Sequence, residues 1–190
     1  MTDFSVLEAT TDVERFCRSR AWRFCFIGGL AVQRWGELRA TRDADMTLLV
    51  GWGHEEPYVD ALLAEFESRL PAEQAREHAL RHRVLLLKHP NGTPLDIGLG
   101  GLPFEERSIE RASFFRVNER FGYTTCSAED LIVHKVFAAR PQDWVDVQAI
   151  LRRQGDRLNW AQIETELEPL LDLLEVPERL DILRKMKAAP

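Results

Sequence analysis

Two aspartates one residue apart, Asp43 and Asp45, stand at the head of an apolar run, and ADMTLLV predicts a buried strand there. Residues separated by one along a strand point to the same face, with Cα atoms about 6.6 Å apart. Two anions about 5 Å apart repel by roughly 3 kcal/mol at an effective dielectric of 20. A divalent cation reverses the sign of that energy, so the pair is a candidate Mg²⁺ site. The alternative is a solvated turn in which Asp43 is a cap and Asp45 a strand-edge charge.

A glycine pair, Gly28 and Gly29, lies between a predicted strand over RFCFIGG and a short amphipathic helix predicted over GLAVQRWGEL. Exposed N–H groups and the positive end of the helix dipole favour phosphate at such a position. Glycine also lets a phosphate approach the backbone closely. The pair is therefore a candidate phosphate site, and the alternative is a simple turn of the chain.

A third acid, Asp96, lies in the apolar segment TPLDIGL, the second strand of a hairpin that the Asn-Gly turn after RVLLLKH predicts. An ionised group is expensive inside an apolar strand. If this strand pairs beside the strand of Asp43 and Asp45, three carboxylates converge as a two-metal phosphoryl-transfer site requires. The alternative is an edge strand on which Asp96 faces water, as the neighbouring proline allows.

Length and composition restrict the function classes. The chain has 190 residues, which suffices for one domain with a helical extension, and its formal charge of -6 argues against a dedicated nucleic-acid binder. Its apolar runs are far shorter than the roughly 20 residues of a membrane span, and the N-terminus lacks the pattern of a signal peptide. We therefore expect a cytoplasmic protein with no membrane partner. Its three cysteines, Cys17, Cys25 and Cys126, are widely spaced and suggest reduced, mostly buried thiols.

The order of predicted elements indicates an α+β fold. Residues 1–125 alternate helices and strands and predict a small mixed β-sheet core flanked by helices, whereas residues 126–190 predict a helical C-terminal region packed on that core. The first helix is predicted over 11–21, with Thr11 or Asp12 as its N-cap. Apolar residues at helical spacing predict one helix over 55–70.

These elements together resemble the polymerase-β-like nucleotidyltransferases. A strand ending in Gly-Gly, a helix, an Asp-x-Asp that opens the next strand and a later Asp are the signature of that superfamily, here carried by Gly28, Gly29, Asp43, Asp45 and Asp96. GGLAV, followed by Arg39 and Thr41 ahead of the aspartates, is most similar to the AbiEii-type toxin branch. Bottom-up, Arg39 and its neighbour Arg42 are equally consistent with a solvated, charged turn.

The resemblance continues in SAEDLIVHKVFAARPQDWVDVQAIL, where that branch has an inward lysine, an arginine and Asp-x-x-Asp, here Lys135, Arg140, Asp143 and Asp146. Helical spacing puts Lys135 on an apolar face, so its ammonium must either extend to solvent or meet an anion. Acids at a helix start are often ordinary caps. Asp143 is retained as a site candidate ahead of Asp146.

The resemblance implies transfer of a nucleoside monophosphate from an NTP to an acceptor, with Mg²⁺ or Mn²⁺ as cofactor. Asp43, Asp45 and Asp96 would bind metal, and Lys135 would neutralise phosphate charge. Nucleotide binding would involve Gly28, Gly29, Arg39, Thr41 and Asp143. The implied partners are an NTP, an acceptor (a tRNA end, a protein or a small molecule) and an antitoxin, if the chain is the toxin of a pair. Two alternatives remain: a catalytically silent binding or antitoxin module of the same fold, and a phosphate-binding regulatory domain.

Overall fold

Seven strands form one mixed sheet in the computed structural model, which describes residues 4–188. The strands are β1 Phe24–Phe26, β2 Ala44–Leu49, β3 Glu67–Ser68, β4 Val84–Lys88, β5 Pro94–Gly100, β6 Ser113–Arg116 and β7 Gly122–Thr125. Their order across the sheet is β3-β4-β5-β2-β1-β7-β6. The pairs β2 with β5 and β1 with β7 are parallel, and the other neighbours are antiparallel.

Helices flank and follow this sheet. They are α1 Phe4–Ser19, α2 Gly28–Trp35, α3 Glu56–Glu65, α4 Ala72–His82, α5 Pro103–Glu110, α6 Ala128–Ala138, α7 Pro141–Gln154, α8 Trp160–Leu173 and α9 Glu178–Ala188, with a 3-10 turn at Gly155–Arg157. Each helix within the described chain is too short or too polar to cross a lipid bilayer. The α+β class predicted from the sequence is confirmed.

The described chain divides into two units. The first contains the residues up to Leu30 together with Arg39–Cys126, and therefore holds the whole sheet. The second contains Ala31–Leu38 and the residues from Ser127 onward, and is helical. The division falls within α2, so the segment 31–38, which the sequence had placed in the α/β core, groups with the C-terminal helices.

The core of the first unit lies on one face of the sheet. Alternate residues of the two central strands, β2 and β5, are fully buried, while the residues between them are mostly half-buried. The buried set packs with the apolar face of α1 and with α3: Ala44, Met46, Leu48, Leu95, Ile97, Leu99, Val6, Val13, Cys17, Val59 and Leu62. Because strand side chains alternate between faces, Asp45 and Asp96 are directed to the opposite, less buried face.

Helix α1 begins earlier than the sequence predicted. It includes Phe4, so the predicted N-cap at Thr11 or Asp12 is wrong. The hydroxyls of Thr10 and Thr11 donate to the carbonyls four residues earlier, at 2.7 and 2.8 Å. A threonine that bonds back in this way is accommodated inside a helix and does not cap one.

The predicted helix over residues 55–70 is wrong at its C-terminal end. Helix α3 ends at Glu65, and Phe66 is extended, with φ -118° and ψ 144°. Phe66 is buried against the rings of Phe16 and His89. The chain then joins the sheet edge as β3 and reaches Pro71, and proline disfavours helix in the residue before it. This correction puts Arg69 beside the sheet instead of on a helix.

The second unit is a set of capped helices. Ser127 caps α6 by accepting from the Asp130 N–H at 3.1 Å, and Asn159 caps α8 by accepting from the Gln162 N–H at 3.2 Å. Helix α6 contacts both α7 and α8 through a fully buried face that includes Leu131, Ile132 and Val136.

Candidate functional site

Asp45 and Asp96 lie side by side on neighbouring parallel strands. The register of β2 and β5 pairs Asp45 with Asp96 directly, and paired residues of neighbouring strands point to the same face about 4.8 Å apart. The hairpin that carries Asp96 turns at Asn91 and Gly92, where the Asn91 carboxamide oxygen accepts from the Thr93 N–H at 3.1 Å. Gly92 supplies the positive φ of 91°. The strand predicted fifty residues downstream is therefore the immediate neighbour of the Asp-x-Asp strand.

Asp43 stands in the bend two residues before Asp45, directly ahead of β2. Its carboxylate accepts a hydrogen bond from the Thr41 hydroxyl at 3.0 Å, and Thr41 is buried. Burial raises the pKa of Asp96, the Arg69 guanidinium opposes that rise, and the Asp43 carboxylate adds to it. The charge on Asp43 is thus close enough to act on Asp96. We call Asp43, Asp45 and Asp96 the carboxylate trio.

The glycine pair begins α2 directly against these acids. Gly28 has φ +57°, and a Cβ added there would lie 1.9 Å from Oδ2 of Asp45. A Cβ on Gly29 would lie 2.3 Å from the Thr41 hydroxyl oxygen and 3.8 Å from a guanidinium nitrogen of Arg39. The first turn of α2 therefore faces the Asp45 carboxylate, a favourable position for an anion near a helix N-terminus. The structure brings Gly28, Gly29, Arg39, Thr41 and the trio together.

Arg69 is a residue of this site that the sequence did not reveal. Its guanidinium forms an ion pair with the Asp96 carboxylate, and each side chain is about one-third exposed, at 33% and 34%. The sequence did not point to Arg69, because apolar spacing over 55–70 put this residue on the last turn of a predicted helix. Pro71, two residues later, was the signal against that helix.

Lys135, Asp143 and Asp146 form a separate cluster in the second unit. The ammonium of Lys135 lies 2.8 Å from a carboxylate oxygen of each aspartate, and all three residues are buried. Asp143 also accepts from the Arg140 N–H at 3.0 Å and so caps α7, while Asp146 accepts from the Gln142 carboxamide at 3.1 Å. Lys135 meets an anion, and Asp146 is as much a part of the cluster as Asp143.

The family model described as "Nucleotidyl transferase AbiEii toxin, Type IV TA system" matches residues 18–175. The chain belongs to this AbiEii family. The match includes every residue of both clusters, and the resemblance and the enzyme class expected from the sequence, a nucleotidyltransferase, are confirmed. No curated protein shows significant sequence similarity to this AbiEii-family chain.

Solved structures share the fold of this AbiEii-family chain. The solution structure of antibiotic-resistance factor ANT(2'')-Ia is 15% identical, with a TM-score of 0.57 over 95% of this chain and 98% of that one. The crystal structure of an antigenic nucleotidyltransferase-like protein from Paracoccidioides brasiliensis is also 15% identical, with a TM-score of 0.52 over 94% and 92%. At this identity the likeness shows the fold alone.

The donor chemistry of the trio fits a divalent cation. Neighbouring carboxylates supply the hard oxygen ligands that Mg²⁺ prefers. Within residues 4–188, however, no group of three or more His, Cys, Asp or Glu side chains is arranged so that it could hold a metal ion. In this structure the Asp96 carboxylate forms an ion pair with the Arg69 guanidinium. The trio of the AbiEii-family chain therefore has the ligand type that Mg²⁺ prefers, but its third carboxylate is paired with a guanidinium in this structure.

Proposed function

We propose that this chain is an active, metal-dependent nucleotidyltransferase that moves a nucleoside monophosphate from an NTP to an acceptor. Membership of the AbiEii family supports the reaction class. The observation that carries the metal-dependent mechanism is the direct pairing of Asp45 with Asp96, with Asp43 close enough to raise the pKa of Asp96. Three acids of like charge lie close together there, and a divalent cation would reduce their repulsion.

The trio would hold Mg²⁺ or Mn²⁺, which when bound supplies positive charge to polarise phosphate oxygens. Thr41 orients Asp43 through its hydroxyl, and the first turn of α2 at Gly28 and Gly29 would receive the triphosphate. Arg39, whose guanidinium lies beside Gly29, would add a cation to that end of the nucleotide. These residues position and stabilise the reactants, and the mechanism needs no covalent enzyme intermediate.

Asp96 would take the proton of the acceptor. In the transfer step the acceptor oxygen forms a bond to the α-phosphorus, the bond from that phosphorus to the leaving oxygen breaks, and pyrophosphate departs. The acceptor proton passes to an oxygen of Asp96. A positioned carboxylate can accept a proton from a reacting hydroxyl in this way.

Lys135 and Asp143 enter the proposal on the family resemblance, as residues that serve the nucleotide. Their charges already pair within the second unit. Lys135, Asp143 and Asp146 together have a formal charge of -1. Lys135 would therefore act as part of this group and not as a lone cation.

The biological role proposed is that of the toxin in a toxin–antitoxin pair. The family description names a toxin of a type IV system, which supports the existence of a cognate antitoxin. The proposed acceptor of the nucleoside monophosphate is a tRNA end, a protein or a small molecule. A cognate antitoxin encoded beside this chain would support the toxin role.

The proposal is tested by label transfer. The protein is incubated with α-labelled NTPs, Mg²⁺ and three acceptor pools: total tRNA, protein extract and aminoglycosides. We expect label to enter one pool, and Asp43→Asn to reduce the transfer by about 100-fold or more because it removes one ligand charge from the trio. Asp156→Asn, which changes an exposed aspartate of the second unit, is the matched control and should transfer at the wild-type rate.

Two results would contradict the proposal. Label that enters no pool would favour the catalytically silent binding or antitoxin module. Transfer that is equal in wild type and Asp43→Asn would show that the reaction does not use the trio.

A further inference from the structure

Arg69 ends a row of paired residues that crosses the sheet to the carboxylate trio. The N–H of Arg69 donates to the Leu86 carbonyl at 2.9 Å, and the strand registers then pair Leu86 with Asp96 and Asp96 with Asp45. Residues paired in this way point to one face of the sheet. Arg69 therefore lies two strands from Asp96, about 10 Å at Cα, and its side chain extends over Leu86 to reach the carboxylate.

This ion pair contributes little to the stability of the fold. Both side chains remain about one-third exposed, at 33% and 34%, and solvent-exposed pairs contribute only a small stabilisation. Arg69 lies beside β3, a two-residue strand at the edge of the sheet. Folding alone therefore does not explain why the Arg69 side chain crosses β4 to reach Asp96 of the carboxylate trio.

Charge supplies that reason. The trio carries a formal charge of -3, and Arg69 brings the net charge of the group to -2. A guanidinium in contact with Asp96 and a divalent cation near the same carboxylate are like charges, and they repel each other. The two cations are therefore alternative counter-ions of Asp96.

We propose that Arg69 is a resident counter-ion of Asp96 that a divalent metal must displace, so that Arg69 sets the metal concentration at which the trio fills. The inference rests on the proposed function, because it takes the trio to be the metal site. It assigns to Arg69 a positioning role that acts through Asp96, without contact with substrate. Removal of the cation frees the carboxylate for the metal.

The test measures metal binding directly, without nucleotide or acceptor. Binding of Mn²⁺ is followed by the electron paramagnetic resonance signal of the free ion for wild type, Arg69→Ala, Arg69→Gln and Arg69→Lys. Loss of the neighbouring positive charge should lower the Kd of Arg69→Ala and Arg69→Gln by about 10-fold. Arg69→Lys, which keeps the charge, should remain near wild type. Arg76→Ala, which removes an arginine paired with Asp60 and Glu56 elsewhere in the first unit, should leave the Kd unchanged.

The sign of the change separates this role from a structural one. If Arg69 merely ordered the site, its removal would weaken Mn²⁺ binding, and a weaker or unchanged Kd in Arg69→Ala overturns the inference. Binding by Arg69→Ala that exceeds that of wild type and is lost in the double variant with Asp43→Asn supports it. If neither wild type nor Arg69→Ala binds Mn²⁺ in an Asp43-dependent manner, the proposed function itself fails and the inference fails with it.

Discussion

At the scale of single residues, the site depends on the absence of a side chain at one position. Gly28 combines a φ of +57° with a position at which an added Cβ would overlap the Asp45 carboxylate. A left-handed φ and the lack of room for a Cβ each favour glycine, and both apply at Gly28. The Gly-Gly pair therefore has a structural reason in this chain apart from any phosphate that it binds.

Gly28→Ala should destabilise the protein by about 2–3 kcal/mol and abolish label transfer, because the new Cβ would strain the backbone and displace Asp45. Urea denaturation and the transfer assay measure the two effects. Gly53→Ala is the matched control, since Gly53 has φ +77° with no atom within 4 Å of an added Cβ. That control isolates the cost of the positive φ. Equal losses in the two variants would contradict the contact with Asp45.

Asp96 should make stability depend on pH. Its pKa is raised above the value in the unfolded chain, mainly by burial, with Asp43 adding to the rise and Arg69 opposing it. The folded state therefore binds the proton of the Asp96 carboxyl more tightly than the unfolded chain does. As pH rises from the ordinary aspartate pKa through the raised one, ionisation of Asp96 increasingly destabilises the fold. Asp43 and Asp45 are the acids that neighbour Asp96, and Arg69 is the cation paired with it.

Asp96→Asn should consequently stabilise the protein at pH 7 by about 0.2–1 kcal/mol, the range for a partly exposed pair. The gain should vanish below the ordinary aspartate pKa, where the carboxyl is protonated in both states. Urea denaturation between pH 3 and 8 measures this, with Asp156→Asn as control. A gain that is constant with pH, or that grows as pH falls, would contradict the assigned direction.

At the scale of elements, local patterns predicted most strands and helices, but not the contacts that depend on non-local pairing. The Asn-Gly hairpin and the strand after Asp43 followed from turn chemistry and apolar runs. That Asp45 stands opposite Asp96 could only be stated as a condition, because strand register is set by burial across the whole sheet. The segment after Phe66 was misassigned because its apolar spacing suits a helix, whereas burial of Phe66 and the position of Pro71 favour an edge strand.

The chain passes from α4 to β4 through Arg83. Arg83 has a left-handed φ of 54°, and its guanidinium donates to the carbonyls of Gly51 and Leu99 and pairs with Glu55. Both Arg83→Ala and Arg83→Gly lose those contacts, but only glycine relieves the backbone. Arg83→Gly should therefore be more stable than Arg83→Ala by about 1 kcal/mol in urea denaturation. The reverse order would show that the left-handed conformation is not retained at this junction.

At the scale of the whole molecule, the family match covers both units, since residues 18–175 include the sheet and most of the C-terminal helices. The second unit has a buried ionic centre of its own in Lys135, Asp143 and Asp146. The sequence predicted that Lys135 must extend to solvent or meet an anion. It could not show that two carboxylates share the ammonium, because that follows from the way α6 packs against α7.

Lys135→Met should destabilise the protein by about 3–5 kcal/mol, because it leaves two buried carboxylates without their common cation. Urea denaturation followed by tryptophan fluorescence measures the loss. Lys185→Met, on the exposed face of α9, is the control and should change stability by less than about 0.5 kcal/mol. A loss at Lys135 no larger than that of the control would mean that the ammonium contributes little to the second unit.

In the proposed mechanism Asp43, Asp45 and Asp96 together perform metal-dependent nucleotidyl transfer, and Asp96 is the member that the sequence could include only conditionally. The most direct test is the rate of label transfer from an α-labelled NTP by wild type and by Asp96→Asn, at saturating Mg²⁺ and with the acceptor pool that wild type labels. We expect the rate of label transfer to fall by about 100-fold or more in Asp96→Asn, with the fold intact by circular dichroism. Transfer by Asp96→Asn at the wild-type rate would contradict it.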